Sequence, residues 1–267
     1  MARIRIGIID LGTNSVRFDV HEISEGKAVK TLHRERLMVR LGNGVFVNGK
    51  MDSRSIARTV EAFASFRYTA DRLHVQKIVA IATSAVRQAS DRGKLVQAIK
   101  KRAGITLRVI SGQEEARLIA KGIISNEKKL PSAFVLIDVG GGSTELSLCK
   151  KGKPSWSQSF PVGSARIDQL FNLSDPTISP KTRLTRIQEL RTYIRKSLDE
   201  FPHSREPKQV KILVGSSGTI KALAKLKSAG AQRPTPITLA FMRKSVRTMS
   251  RMTRTRQTTS APAGSDD

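Results

Sequence analysis

The chain has 267 residues, enough to bury a sizeable core as one large domain or two ordinary ones. Hydrophobic residues make up 39%, which excludes a disordered chain. Aromatics make up only 4%, which leaves little material for stacking bases on aromatic platforms. The formal charge of +26 points to a polyanion (nucleic acid, an anionic membrane or a phosphate-rich substrate), or else to a solubility trait with no partner attached.

The single cysteine, Cys149, excludes an intramolecular disulfide and fits a reducing compartment. No apolar run approaches the ~18 residues of a membrane span. The opening "MARIRIGIIDLGTN" has early arginines, but Asp10 breaks its apolar run and no cleavage-like site follows. It reads as a first strand and not as a signal peptide, so the cytoplasm is the expected location.

In chain order, Ile4 to Asp10 is predicted as a buried strand. Ser15 to Ile23 is its hairpin partner, with Val16, Phe18 and Val20 on one face and "GTN" as turn chemistry between them. Ser53 to Leu73 spaces Ile56, Val60 and Phe63 as a helix capped by Ser53. Lys77 to Arg87 begins as a strand and ends in a small-residue loop, and "TLRVISG" is another strand. "QEEARLIAKGI" starts a helix, with Ser111 and Glu114 spaced as a capping box. "AFVLIDV" is a strand, "GGGST" a loop and "ELSLCKKGK" an alternating strand. Leu184, Ile187, Leu190, Ile194 and Leu198 mark an amphipathic helix whose polar side is rich in Arg and Lys. "VKILVGSSGTIKAL" is a strand, a small-residue loop and a helix start. From Pro207 to Ser265 there is no acidic residue against twelve Lys and Arg, and the end has tail composition.

One pattern occurs twice, about 130 residues apart: strand, aspartate, Gly-rich turn, alternating strand, as "IIDLGTNSVRFDV" and "LIDVGGGSTELSL". Two copies imply two similar α/β domains, with the two loops facing one another across a cleft. A loop of Gly, Ser and Thr leaves its backbone N–H groups free to close on phosphate oxygens. The flanking Asp10, Asp138 and Glu145 would repel bare phosphate and make sense around a hard cation such as Mg²⁺. For one loop alone, a tight hairpin needing positive φ is the simpler reading. Two matched loops plus "VGSSGT" favour phosphate.

Six segments in order, "GIIDLGTNSVRFDV", "ATSAVRQASD", "SGQEEARLIAKGI", "LIDVGGGSTEL", "PVGSARI" and "LVGSSGTIKAL", resemble the exopolyphosphatase / guanosine pentaphosphate phosphohydrolase family over about residues 4 to 226. The resemblance implies the actin-like ATPase fold: two ribonuclease-H-like α/β domains, here 1–120 and 121–245, followed by a basic, disordered tail at 246–267. It implies that Glu115 activates the attacking water and that Arg87 reaches substrate phosphates. It places Gly12, Thr13, Asn14 and Ser15, with Asp10, in the first phosphate loop, and Gly140, Gly141, Gly142 and Ser143 in the second. Asp138 and Glu145 then surround the metal. On the residues alone, Glu115 is an ordinary first-turn acid, and a helix N-terminus there would lower its pKa. Arg87 alone is a surface arginine, and Cys149 and Trp156 are packing residues.

The implied activity is release of terminal phosphate from polyphosphate or guanosine pentaphosphate, with Mg²⁺ as cofactor. A homodimer, charge-driven nucleic-acid binding and no membrane association complete the expected partners. Family members continue with helices that return to the first domain, whereas this chain departs into "TLAFMRKSVRTMSRMTRTRQTTSAPAGSDD". That departure leads us to expect an exposed apolar sheet face. The competing readings are a catalytically weak polyanion binder, favoured by charge, and an actin-like kinase or ATPase, opposed by "SGQEEAR".

Overall fold

One strand order runs through both sheets for four strands. The computed structural model describes residues 3–26, 28–199, 201, 210, 212–227 and 237–250. In the first sheet, β1 (Arg3–Leu11), β2 (Ser15–Ser24) and β3 (Lys30–Met38) form an antiparallel meander. Beyond β1, β4 (Lys77–Ala82) and β5 (Leu107–Val109) add in parallel. The second sheet repeats this with β6 (Ala133–Val139), β7 (Thr144–Lys150) and β8 (Lys153–Phe160) as the meander and β9 (Leu213–Ser216) parallel to β6. Asp10 pairs with Arg17 and lies beside Ile81, while Asp138 pairs with Glu145 and lies beside Ser216. The sequence repeat is therefore one hairpin-plus-crossover unit built twice, its parallel strand reached through a helix as parallel pairing requires.

The first unit buries one face of its sheet thoroughly. Ile9, Leu11, Val16, Phe18 and Val20 have no exposed surface, an alternation fixed by the pleat. They pack under α2 (Ser53–Arg72) and α4 (Arg92–Ala103), which contribute Phe63, Phe66, Leu95 and Ile99. On the opposite face Ile8 and Val79, paired in register, stay 41% and 39% exposed. Among the described residues, the second unit has a smaller core of Ala120, Phe134, Leu136 and Cys149 under α5 (Gly112–Asn126). Because α5 runs on to Asn126 and packs on β7 and β8, a boundary at 120 falls inside a helix.

Several local expectations change. The N-cap of α2 is Asp52, whose carboxylate accepts from Ser55 N at 2.9 Å, so Ser53 is already helical. The small residues after β4 form α3 (Ser84–Gln88) and not a loop. Ser111 does cap α5, accepting from Glu114 N at 3.1 Å, but the Glu114 carboxylate turns to Arg108 at 2.8 Å, leaving half a capping box. "VGSSGT" contains no loop: β9 passes straight into α8 (Ser217–Lys227) through Ser217 at φ 83°. The amphipathic helix is α7 (Pro180–Ser197), yet none of its residues is buried and Leu184 is 63% exposed. Residues 246–250 belong to α9 (Leu239–Ser250), so the tail cannot begin at 246; 251–267 lie outside the described residues. The two remaining helices, α1 (Val45–Asn48) and α6 (Ser164–Phe171), flank the meeting of the two units.

Candidate phosphate and carboxylate site

Both Gly-rich turns close with the same hydrogen bond: Gly12 N donates to Ser15 O at 3.0 Å, and Gly140 N donates to Ser143 O at 2.9 Å. None of Gly12, Gly140, Gly141 and Gly142 takes a left-handed φ, so the reading of these turns as hairpins needing positive φ fails. Their lack of a side chain serves close approach instead. A Cβ on Gly142 would stand 2.6 Å from Thr13 Oγ1 and 2.7 Å from both Phe46 and Ser84 Oγ. The two loops thus pack against each other, Thr13 and Ser143 being almost wholly buried between the sheets.

Protein donors engage the loop carbonyls. In the first loop, Arg40 N donates to Asn14 O at 2.7 Å and Gly42 N to Thr13 O at 2.8 Å. In the second, the first amides of α6 do the same: Ser164 N to Gly140 O at 3.0 Å, then Ala165 N and Arg166 N to Gly141 O at 2.8 and 3.0 Å. Arg166 adds its side chain, Nε to Gly142 O at 2.7 Å, while its guanidinium lies over the Phe46 ring at 4.1 Å. Among the described residues, the N–H groups of Thr13, Asn14, Gly141, Gly142 and Ser143 have no backbone or side-chain acceptor. Carbonyls engaged and amides unengaged is the arrangement that binds an anion.

Four carboxyl groups surround these loops. Glu115, in the first turn of α5, is paired with Arg87 Nη1 at 2.9 Å; the same nitrogen donates to Ile110 O at 3.1 Å. Burial raises the Glu115 pKa, the Arg87 charge opposes it, and Asp10 pushes it up again. The sequence argument from the helix N-terminus pointed down, and burial overrides it. Glu145 Oε1 accepts from both Ser143 Oγ and Ser159 Oγ at 2.7 Å. Burial, then the neighbouring Glu115 charge, pushes Glu145 up to about 8. Asp138 accepts from Ser216 Oγ; burial raises its pKa while Ser216 and the Lys221 charge lower it. Solvent reaches Asp10, but enough protein surrounds it that desolvation raises its pKa, against the pull of Arg17 and with a further push from Asp138.

The donors available to a cation are all oxygens, which suits a hard ion. Asp10, Asp138 and Glu145 do not, however, form one three-ligand cluster: among the described residues no three His, Cys, Asp or Glu side chains are placed to hold one ion. Ser216 occupies one Asp138 oxygen and two hydroxyls occupy one Glu145 oxygen. The residues fit an ion held by one or two carboxylates, with its other positions left to water and phosphate, the usual Mg²⁺ arrangement.

Beside Glu115 opens a cavity of about 430 Å³ lined by Arg87, Gln113, Ser143, Gln158, Ser159 and Arg166. Arg166 and Ser159 were not singled out from the sequence, although Arg166 stands inside "PVGSARI". The available signal was an arginine three residues after Gly163 at a helix start. Trp156 and the buried Cys149 pack as anticipated, Trp156 against Phe160 and Phe201.

Residues 20–263 match the Ppx/GppA phosphatase family, further toward the C-terminus than the motifs carry the resemblance. Exopolyphosphatase 2 of Mycobacterium tuberculosis is 30% identical over 234 residues, covering 85% of this chain and 72% of that protein. Exopolyphosphatase 1 of Mycobacterium leprae is 26% identical over 256 residues, covering 94% of this chain and 74% of the other. Among solved structures, an exopolyphosphatase from Cytophaga hutchinsonii superimposes with a TM-score of 0.81 at 27% identity, covering 94% of this chain and 81% of its own. The Aquifex aeolicus Ppx/GppA protein, at 23% identity and a TM-score of 0.73 over 97% and 84%, shares the fold. That fold is the actin-like ATPase fold.

Proposed function

The chain belongs to the Ppx/GppA phosphatase family, and on that premise we propose that it releases the terminal phosphate of inorganic polyphosphate, guanosine pentaphosphate or both. The observation that carries the proposal is the Glu115–Arg87 pair standing beside two matched loops whose amides are unengaged. The relatives named for exopolyphosphatase activity favour polyphosphate as the substrate.

In this reading, while Gly12 N and Gly140 N close the two turns on Ser15 O and Ser143 O, the loop amides of Thr13, Asn14 and Gly141 to Ser143 receive the phosphoryl oxygens. Arg87 offers positive charge to the same oxygens. Glu115 orients a water molecule and takes its proton as the water oxygen bonds to phosphorus and the bridging oxygen leaves with its electron pair. The ion pair with Arg87 favours the ionised form that can accept that proton, against a burial that raises the Glu115 pKa. Asp10 and Asp138 would hold a divalent cation, with Glu145 behind them; when bound, it would neutralise charge on the phosphates. Little covalent work falls to the protein, so position and electrostatics carry the rate.

The experiment is phosphate release from long-chain polyphosphate and from guanosine pentaphosphate, each with and without Mg²⁺. We expect cation-dependent release from at least one substrate, with Asp138→Asn requiring more cation to reach the same rate. If Asp138→Asn leaves the cation requirement unchanged, its metal role is wrong. Binding without any release from either substrate would put the polyanion-binder reading ahead.

A further inference from the structure

Three successive carbonyls of the second loop are taken up by one helix start. The first N–H groups of α6 have no partner inside the helix, and they point at the loop: Ser164 N donates to Gly140 O, and Ala165 N and Arg166 N donate to Gly141 O. Ile167 N already donates inside the helix, to Gly163 O at 2.9 Å, so the next amide is not available to Gly142 O. The Arg166 side chain takes that carbonyl instead, from Nε at 2.7 Å. In a trans peptide the C=O and the N–H that follows it point in opposite directions. Holding Gly140 O, Gly141 O and Gly142 O on α6 therefore turns the N–H groups of Gly141, Gly142 and Ser143 away from it. The fit is close at the helix start: a Cβ on Gly163 would stand 2.5 Å from Gly141 O and from Ser143 N. Gly163 has φ -138°, so the close approach, and not the backbone conformation, excludes a side chain.

Arg166 is also where the two units meet on that loop. Its guanidinium lies over the Phe46 ring of α1 at 4.1 Å, and that ring stands 2.7 Å from where a Gly142 Cβ would be. Arg166 is only 6% exposed and takes part in no ion pair among the described residues. A buried cation without a carboxylate is costly, which argues for a role beyond packing. Further along α6, Gln169 Nε2 donates to Gly42 O at 2.8 Å, and Gly42 N holds Thr13 O in the first loop. We propose that Arg166 is a positioning residue: it holds the Gly142–Ser143 peptide so that the Ser143 N–H faces the phosphoryl group, and it ties that geometry to the first unit through Phe46. The inference rests on the proposed phosphohydrolase reading and names the side chain that shapes its second loop. Both contacts need a planar guanidinium, with donors in its plane and a flat face for the ring; the ammonium of lysine has neither.

The test measures tripolyphosphate binding, phosphate release and the denaturation midpoint on the same samples of the wild type, Arg166→Lys, Gly163→Ala, Phe46→Leu and Ile99→Val. Arg166→Lys keeps the charge and loses the planar fork. Gly163→Ala keeps Arg166 and pushes the loop off α6. Ile99→Val, a fully buried change in α4, is the control for lost stability alone. We expect the dissociation constant to rise about tenfold in Arg166→Lys and at least as much in Gly163→Ala, the effect of losing one hydrogen bond to a charged group. Phe46→Leu should raise it about threefold, as loss of the ring beneath the cation implies. Ile99→Val should lower the midpoint and leave binding unchanged. Binding by Arg166→Lys as tight as the wild type would show that charge alone suffices, and would overturn the proposal. So would binding losses in Arg166→Lys and Gly163→Ala that Ile99→Val matches at the same fall in midpoint. Wild-type chain that binds tripolyphosphate and releases no phosphate would fail the catalytic reading alone, since the binding arm still measures what Arg166 does.

Discussion

The two units share a strand order, a turn and a register, but they differ in how deeply they are built. In the first, Asp10 pairs across the hairpin with Arg17, and the sheet lies on a core that includes Phe18, Phe63 and Phe66, fully buried and in ring contact. In the second, the position of Arg17 is taken by Glu145, and among the described residues the buried apolar cluster is a few residues around Phe134 and Leu136. One copy is a scaffold and the other carries the costly buried carboxylate. A repeated fold lets one half supply stability while the other holds groups that oppose it.

The comparison breaks most sharply in the first core. Phe66→Ala removes a ring stacked on Phe18 at 5.0 Å with no exposed surface, and should cost about 3–5 kcal/mol in denaturant unfolding. A loss under about 1 kcal/mol would show that the first unit is not the stable half.

Next comes the charge held by the second unit. Glu145 is pushed up to about 8, so the folded protein favours its protonated form. The resulting stabilisation is fully present below the ordinary carboxylate value near 4.5 and is lost as pH rises through about 8. Without divalent cation, the denaturation midpoint should fall over that window, and Glu145→Gln should flatten the fall. Parallel profiles for the two proteins would refute the assignment of the penalty to Glu145.

The smallest effect is expected at the surface of α7. Leu184→Ala should change stability by no more than about 0.5 kcal/mol, because that side chain is 63% exposed. A core-sized loss there would mean that the apolar stripe is covered in solution.

Much of this was legible in the sequence because the signal was local. Val16, Phe18 and Val20 alternate as a strand must, and the two Asp–x–Gly turns announce the repeat directly. What escaped depends on contacts between distant segments. Ser53 looked like the cap of α2 until Asp52 could be seen accepting from Ser55. Leu184 to Leu198 has helical spacing, which specifies the helix but not what covers it. Arg166 matters because Gly142 O and Phe46 converge on it from 24 and 120 residues away. The pKa of Glu115 was read with the wrong sign because burial, unlike helix position, has no local signature.

Single-turnover phosphate release by Glu115→Gln, with substrate binding measured on the same samples, tests the central claim most directly. A general base contributes on the order of 10²–10⁴-fold, so turnover should fall by that much while binding is nearly kept. Glu114→Gln is the control, since its carboxylate is turned to Arg108 and away from Glu115's place beside Arg87; it should leave turnover nearly unchanged. Wild-type turnover in Glu115→Gln, or its loss in Glu114→Gln alone, would contradict the account.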